Sequence, residues 1–187
     1  MHPEIGDIFL QVKSGNQSAF KKLVEIYQVY AYKLAFRILC DDEEAKDVVQ
    51  DSFIKIWKKI NSFDHRHKFT TWMYKIVTHT AIDRYRAIKK TSKVNLEEVN
   101  ISFDTISGHN LLIDFENRQL GETIKCLAEN LPEKQRLVFV LRDLQGMNSV
   151  EVQEILDMTA TMVKSNLYNA RKALKQKLIT IMEYERR

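Results

Sequence analysis

Apolar residues return every three or four positions through most of the chain, and that spacing predicts helices that each bury one face. After a short helix over residues 4–13, broken at Ser14 and Gly15, Asn16 is placed to cap a long helix. Its inward line is Phe20, Leu23, Tyr27, Ala31, Leu34 and Ile38. Asp41 and Glu44 have capping-box spacing and open a third helix with Ala45, Val49, Phe53, Ile56 and Ile60 inside. A polar stretch, DHRHK, leads into a fourth helix, FTTWMYKIVTHTAIDRYRAIKK, in which Trp72, Ile76, Ala81 (or His79, with a turn's slippage) and Ile82 are expected to face the core. Leu120, Ile124, Leu127 and Leu131 mark a helix over residues 118–130, and Pro132 suits the first turn of the next, where its missing amide costs nothing.

The pattern then shortens. Val152, Ile155 and Leu156 give one buried face to a short helix, and Val163, Leu167, Ala170, Leu174 and Leu178 give a stripe to a long one. Asn148 with Glu151, and Thr159, have the right spacing to cap them. A short helix, a tight turn and a basic helix make a helix-turn-helix. Opposite its stripe the last helix shows Lys164, Tyr168, Arg171, Lys172 and Lys175, a set suited to phosphates and base edges in a major groove. Two positions depart from the usual unit. Gln153 stands where a small residue eases the helix crossing, and Asp157 where Gly takes the left-handed turn position, a backbone region that Asp tolerates less well.

With five Gly, two Pro and no long run of alternating β-branched residues in a chain of 187, the fold class is all-α. Charge divides the chain into two small helical domains, 1–93 and 118–187, on a flexible acidic linker, 94–117. The first carries 17 Lys and Arg against 11 Asp and Glu, the linker none against five, and the last 12 against nine. Two basic segments around an acidic one suit a polyanion partner. Within the linker, Leu111–Phe115 has the pattern of a single helical turn.

Cys40 and Cys126 lie far apart in helical patterns and read as buried thiols of a reducing cytoplasm. His65 and His67 form an HxH pair without the further ligands a metal needs, so no metal or cofactor is expected. No signal-peptide pattern opens the chain and no apolar run reaches the roughly 20 residues that span a bilayer, so the reading is a soluble cytoplasmic protein. No acid, base and nucleophile set converges, which argues against an enzyme or a small-molecule substrate. The third helix turns Asp47, Gln50, Asp51, Ile54 and Lys58 outward, acids and an amide around an apolar residue, as would suit docking on a basic helical partner. The fourth mixes Lys75, Arg84, Arg86, Lys89 and Lys90 with Phe69, Trp72, Tyr74 and Tyr85, a combination suited to locally opened nucleic acid.

The strings DVVQDSFIKIW from Asp47, FTTWMYKIVTHTAIDRYR from Phe69 and LPEKQRLVFVLRDLQG from Leu131, in this order and spacing, resemble bacterial sigma factors of the extracytoplasmic-function group. That resemblance implies a non-enzymatic subunit that directs core RNA polymerase to promoter DNA. Asp47, Gln50, Asp51, Phe53, Ile54 and Trp57 would lie on the polymerase-binding motif, Phe53 and Trp57 in part by packing the helix. The loop containing His65, Arg66, His67, Lys68 and Phe69 would capture a base flipped from the non-template strand. Lys75, Thr78, His79, Asp83, Arg84 and Arg86 would approach the minus-ten element. Thr161, Lys164, Ser165, Tyr168, Asn169 and Arg171 would read the minus-thirty-five element. Relatives often have Asn at the position of His79 and Arg at those of Asn166 and Asn169; amides there shift readout toward adenine. The resemblance also implies an anti-sigma protein as partner. A stand-alone helix-turn-helix regulator, or a sigma mimic that binds an anti-sigma protein without productive DNA binding, uses the same helices and differs in whether polymerase is needed.

Overall fold

A computed structural model of the chain describes residues 3–64, 68–92, 128 and 130–185. Among those residues the regular elements are all helical, in the order α1 (Pro3–Lys13), α2 (Gln17–Leu39), α3 (Asp42–Lys59), a 3₁₀ turn (Ile60–Ser62), α4 (Phe69–Ser92), α5 (Glu133–Phe139), a π turn (Val140–Leu144), α6 (Ser149–Leu156) and α7 (Ala160–Glu185). The linker expected over 94–117, with its turn at Leu111–Phe115, lies outside the described residues. So do Cys126 and most of the helix expected over 118–130.

Local signals in the sequence account for the helix starts. Asn16 Oδ1 accepts the amide of Ala19 at 3.1 Å, and Asp41 Oδ1 accepts that of Glu44 at 2.9 Å. At α6 the box is reciprocal: Asn148 takes the amides of Val150 and Glu151, and Glu151 returns to the Asn148 amide at 3.0 Å. Thr159 Oγ1 accepts from the amide of Met162 at 3.3 Å. Helix α2 ends on Cys40 in the left-handed region, and α6 on Asp157 at φ 51°.

The first bundle packs α1 to α4 around Phe9, Leu23, Leu34, Ile38, Val48, Ile56, Met73 and Val77. Two expected inward lines hold at Ala45, Phe53, Ile56 and Ile60 and at Ala81 and Ile82, and are corrected at Val49, Trp72 and Ile76. In α3, Val48 and Ser52 are buried, while Val49 is half-buried beside an outer groove. In α4 the buried line is Phe69, Met73, Val77 and Ala81, and Trp72 and Ile76 flank it. The reason is an anchor at the start of α4. The Phe69 ring sits 4.6 Å from Phe9, 5.0 Å from Tyr27 and 5.6 Å from Phe63, centroid to centroid, and every later position follows from that register.

The second bundle is α5 to α7, with Leu137, Leu141, Val152, Ile155 and Val163 inside. Its stripe on α7 is the expected one, Ala170 and Leu174 buried with Val163. The two bundles do not stand apart. One cluster of buried apolar residues runs through both, with α4 packed on α6 and α2 against the π turn, while Leu131, Phe139, Ala170 and Leu174 form a second cluster within the second bundle.

Candidate nucleic-acid interface

Three exposed surfaces carry the residues singled out above. The first lies between α2 and α3, a groove of about 560 Å³ lined by Phe20, Val24, Val49, Phe53, Ile54 and Trp57. The Trp57 ring packs 4.8 Å from Phe20, and Ile54 stands 44% exposed at the rim. Gln50, exposed, continues that rim, and the exposed Asp47 and Asp51 lie beside it on the side of α3 that faces α4. An apolar trough with exposed carboxylates next to it on the same helix suits an amphipathic, basic helix.

The second surface is the outward side of α4. Four of its cations meet carboxylates. Arg84 spans to α3, where Nη2 donates to Glu44 Oε1 at 3.0 Å and Nε to the same carboxylate, which holds the guanidinium charge above its ordinary range. Lys75 Nζ lies 2.7 Å from Asp157, with His79 Nε2 3.9 Å from the same carboxylate. Arg86 grips Glu133 with two bonds, of 2.6 and 3.1 Å, and Lys68 reaches Glu151 at 2.9 Å.

The third is the outer face of α7. Thr161, Lys164, Ser165, Tyr168 and Asn169 are exposed together on the face opposite Val163, Ala170 and Leu174. Beside them Val150 of α6 and Met162 also face solvent, apolar surface suited to a thymine methyl. Residues 23–91 match the Sigma-70 region 2 family and residues 121–174 the Sigma-70, region 4 family. The chain is 34% identical over 177 residues to the ECF RNA polymerase sigma factor SigW of Bacillus subtilis strain 168, covering 90% of this chain and 93% of that one. It is 31% identical over 175 residues to the ECF RNA polymerase sigma-E factor of Escherichia coli K12, covering 90% and 91%.

The chain belongs to the ECF RNA polymerase sigma factors.

Among solved structures, the fold of this sigma factor is similar to CnrH in complex with the cytosolic domain of CnrY, with TM-score 0.65 at 24% identity over 92% of this chain and 96% of that one. It is similar also to the sigma factor RpoE of Bartonella quintana in complex with the anti-sigma factor NepR, with TM-score 0.63 at 19% identity over 85% and 96%.

Not every residue expected at an interface stands on one. Phe53 is 5% exposed, so it is the floor of the groove and its ring packs edge-on to Phe20 at 6.4 Å. Phe69 is core, for the reason given above. Thr78 is fully buried, because the register set by Phe69 turns it inward beside Val77. Arg84 is held within the first bundle by Glu44. Arg171 folds back in a bidentate pair on Asp143 at 2.6 and 2.8 Å, which keeps its charge but ties its donors. Asn166 bonds the carbonyl of Met162. His65, Arg66 and His67 lie outside the described residues.

The residues that sequence reasoning missed belong to the contact between the bundles. Besides Glu133, Glu151 and Asp157, they are Arg37, whose Nη1 donates to the Leu144 carbonyl, and Arg136. Burial draws the Arg37 guanidinium below its ordinary range. Arg136, 1% exposed, stacks its guanidinium 3.7 Å from the Tyr85 ring centre, and its Nε and Nη2 lack hydrogen-bond partners. Glu133 titrates below the usual range, chiefly through the Arg86 bond, with Arg136 and Lys89 adding to it. At Glu151 burial pushes upward, but the Lys68 bond, the Asn148 amide and the Lys68 charge together win, and the carboxyl sits low. One sequence signal bears on this contact: Asp157, an acid where the turn of a helix-turn-helix usually has Gly.

Proposed function

We propose that this sigma factor directs core RNA polymerase to promoters through the three surfaces described. The α2–α3 groove, with Asp47, Gln50, Asp51, Ile54 and Trp57, receives a basic helix of the polymerase. The outer side of α4, with Lys68, Lys75, His79 and Arg86, approaches the minus-ten element, and the α7 face, with Thr161, Lys164, Ser165, Tyr168 and Asn169, the minus-thirty-five element. Residues 1–93 and 118–187 act as the two promoter-contacting domains and 94–117 as their connector. The chemistry of RNA synthesis belongs to the polymerase, and the chain works in the cytoplasm, where that polymerase is. An anti-sigma protein is its counterpart, as in the complex of RpoE with NepR.

The observation that carries the docking surface is the groove itself. It is lined by Phe20, Val24, Val49 and Trp57, with Ile54 44% exposed at its edge and the exposed Gln50, Asp47 and Asp51 on the same helix, an arrangement that serves a partner and does little for the fold. The α6–α7 unit is also well built for reading DNA, since Asp157 holds the left-handed turn and both of its helices are capped.

The test is a reconstituted reaction: core polymerase with and without the chain, on a library of promoter fragments, with the 5′ ends of the transcripts sequenced. New, defined start sites that appear only with the chain are expected. Unchanged start sites, or duplex binding that is as strong without polymerase, would instead leave a stand-alone regulator.

A further inference from the structure

Where the last turns of α4 meet the start of α5, the surface sinks into a crevice of about 350 Å³. Tyr85, Arg86, Lys89 and Lys90 line it from the first bundle, Leu131 and Pro132 from the second. One occupant would therefore touch both bundles. Apart from Arg86, none of these walls belongs to the three surfaces assigned above to polymerase and promoter.

Charge does not balance there. Glu133 is the single carboxylate of the lining, and Arg86 already takes both of its oxygens, at 2.6 and 3.1 Å. The Lys89 ammonium rests 4.7 Å from the centre of the Tyr85 ring, and Lys90 is exposed beside it. The same ring carries Arg136 at 3.7 Å, 1% exposed, with Nε and Nη2 unbonded. Among the described residues no carboxylate pairs with Lys89, Lys90 or Arg136. Four cations thus face one carboxylate. A ring face attracts a cation without neutralising it, and a guanidinium taken out of water without a counter-ion is costly. A surplus of this kind around a small cavity draws an anion.

We propose that this crevice binds a nucleoside di- or triphosphate. Lys89 and Lys90 donate to its phosphates, while Arg86 stays on Glu133 and so keeps the one acid neutralised. Arg136 makes no contact with the ligand and adds positive potential through the wall. The rest of the lining is Tyr85, Leu131, Pro132 and the alkyl stems of the lysines, which suits the flat face of a base. When Lys89 turns to a phosphate its ammonium leaves the Tyr85 ring, and the face it covered becomes free to stack. Size agrees: small-molecule sites run from about 300 to 1,000 Å³, so the crevice holds one nucleotide and no duplex.

The probe is GTP carrying an N-methylanthraniloyl group on its ribose, and its fluorescence anisotropy is followed as full-length chain is added without polymerase. Salt is held at about 0.15 M, where attraction between exposed charges is screened beyond about 8 Å. One variant combines Lys89→Gln with Lys90→Gln, both exposed, so the fold is kept. A second, Lys21→Gln with Lys22→Gln on the exposed side of α2, makes the same change in net charge away from the crevice. Unlabelled GTP, inorganic pyrophosphate and a DNA duplex of mixed sequence are then used to displace the probe.

Saturation at one probe per chain is expected. The Lys89 and Lys90 variant should bind about 10-fold or more weakly, the loss that removing a charge-assisted hydrogen bond brings, and the α2 variant should stay within about 2-fold of the wild type. GTP should displace the probe at a concentration about 10-fold lower than pyrophosphate, the gain from a stacked base. Absence of saturation would overturn the proposal by removing the site. Equal weakening in the two variants would overturn it by reducing the site to general positive charge, and pyrophosphate as effective as GTP would overturn it by removing the nucleoside. Duplex that displaces the probe as readily as GTP, phosphate for phosphate, would give these cations to the DNA backbone and overturn it as well. Start-site mapping with core polymerase does not involve the probe, so loss of the sigma reading and loss of this site are separate results.

Discussion

Ile54 and Phe53 are neighbours in sequence and opposites in role, and substituting each by Ala separates docking from folding. Burying an Ile side chain entirely contributes about 1.5–3 kcal/mol. Ile54 is 44% exposed, so closing a partner over it recovers about 0.7–1.3 kcal/mol by the same scale. Ala keeps part of that surface, leaving a loss of about 0.5–1 kcal/mol, a roughly 2- to 5-fold weaker dissociation constant. Phe53 is 5% exposed and lies between the Phe20 ring and the core, so Phe53→Ala should cost about 3–5 kcal/mol of folding stability. The assays are titration of labelled chain with core polymerase and denaturant unfolding of the free chain. Ile54→Ala should move the first and leave the second; Phe53→Ala should move the second strongly. If Ile54→Ala leaves polymerase affinity unchanged, the groove is not the docking surface, and the reasoning from its exposed rim fails.

Asp51→Arg removes one attraction to a basic partner and adds one repulsion, so the same titration should weaken by about 2- to 30-fold with the fold intact by circular dichroism. Lys164→Ala should reduce minus-thirty-five affinity of the holoenzyme by about 1–3 kcal/mol if Lys164 reads a base, or by less and with a shallower salt dependence if it touches phosphate; no change in either removes it from the interface. Glu133 and Glu151 both titrate low where the bundles meet, held there by Arg86 and Lys68. Their contribution is therefore complete above the ordinary glutamate value of about 4.3 and is lost as pH falls through their depressed values, and energy transfer between dyes placed at Lys22 on α2 and Gln176 on α7 should drop in that acid window. Transfer that holds steady there would show that these pairs do not steady the contact.

The helix inventory was legible because it rests on local physics. Asn16, Asp41, Asn148 and Thr159 cap where their spacing said they would, and Val163, Ala170 and Leu174 are buried in the predicted stripe. Register inside α4 was not legible. A row containing Trp72, Met73, Ile76 and Val77 offers two apolar lines one position apart, and the choice is made by rings from α1, α2 and Phe63, just after the 3₁₀ turn, meeting Phe69. Thr78 was misplaced by the same slip. The exposure of Ile54 was readable, since an apolar residue on the outward face of a charged helix is an anomaly even in one dimension. The partners of the basic residues were not. Lys75 is 82 positions from Asp157 and Arg86 is 47 from Glu133, and nothing in a charge pattern says which acid will fold back on which cation.

Asp157 shows how a local departure and a long-range contact become one fact. Judged within the helix-turn-helix it is a compromise, because Gly would take φ 51° and ψ 46° without strain. Gly has no carboxylate. At this corner the left-handed backbone brings the side chain to Lys75 at 2.7 Å and within 3.9 Å of His79, so the residue that strains the turn is also the one that closes over α4. The Glu151 carboxylate likewise serves twice, bonding the Asn148 amide at the start of α6 and Lys68 in the other bundle. An acid required only by its own helix could be exchanged for Gln or Gly at little cost. Acids placed at both ends of α6, each bonded to a cation of α4, make the short helix a brace between the bundles, and its capping and its docking are set by the same side chains.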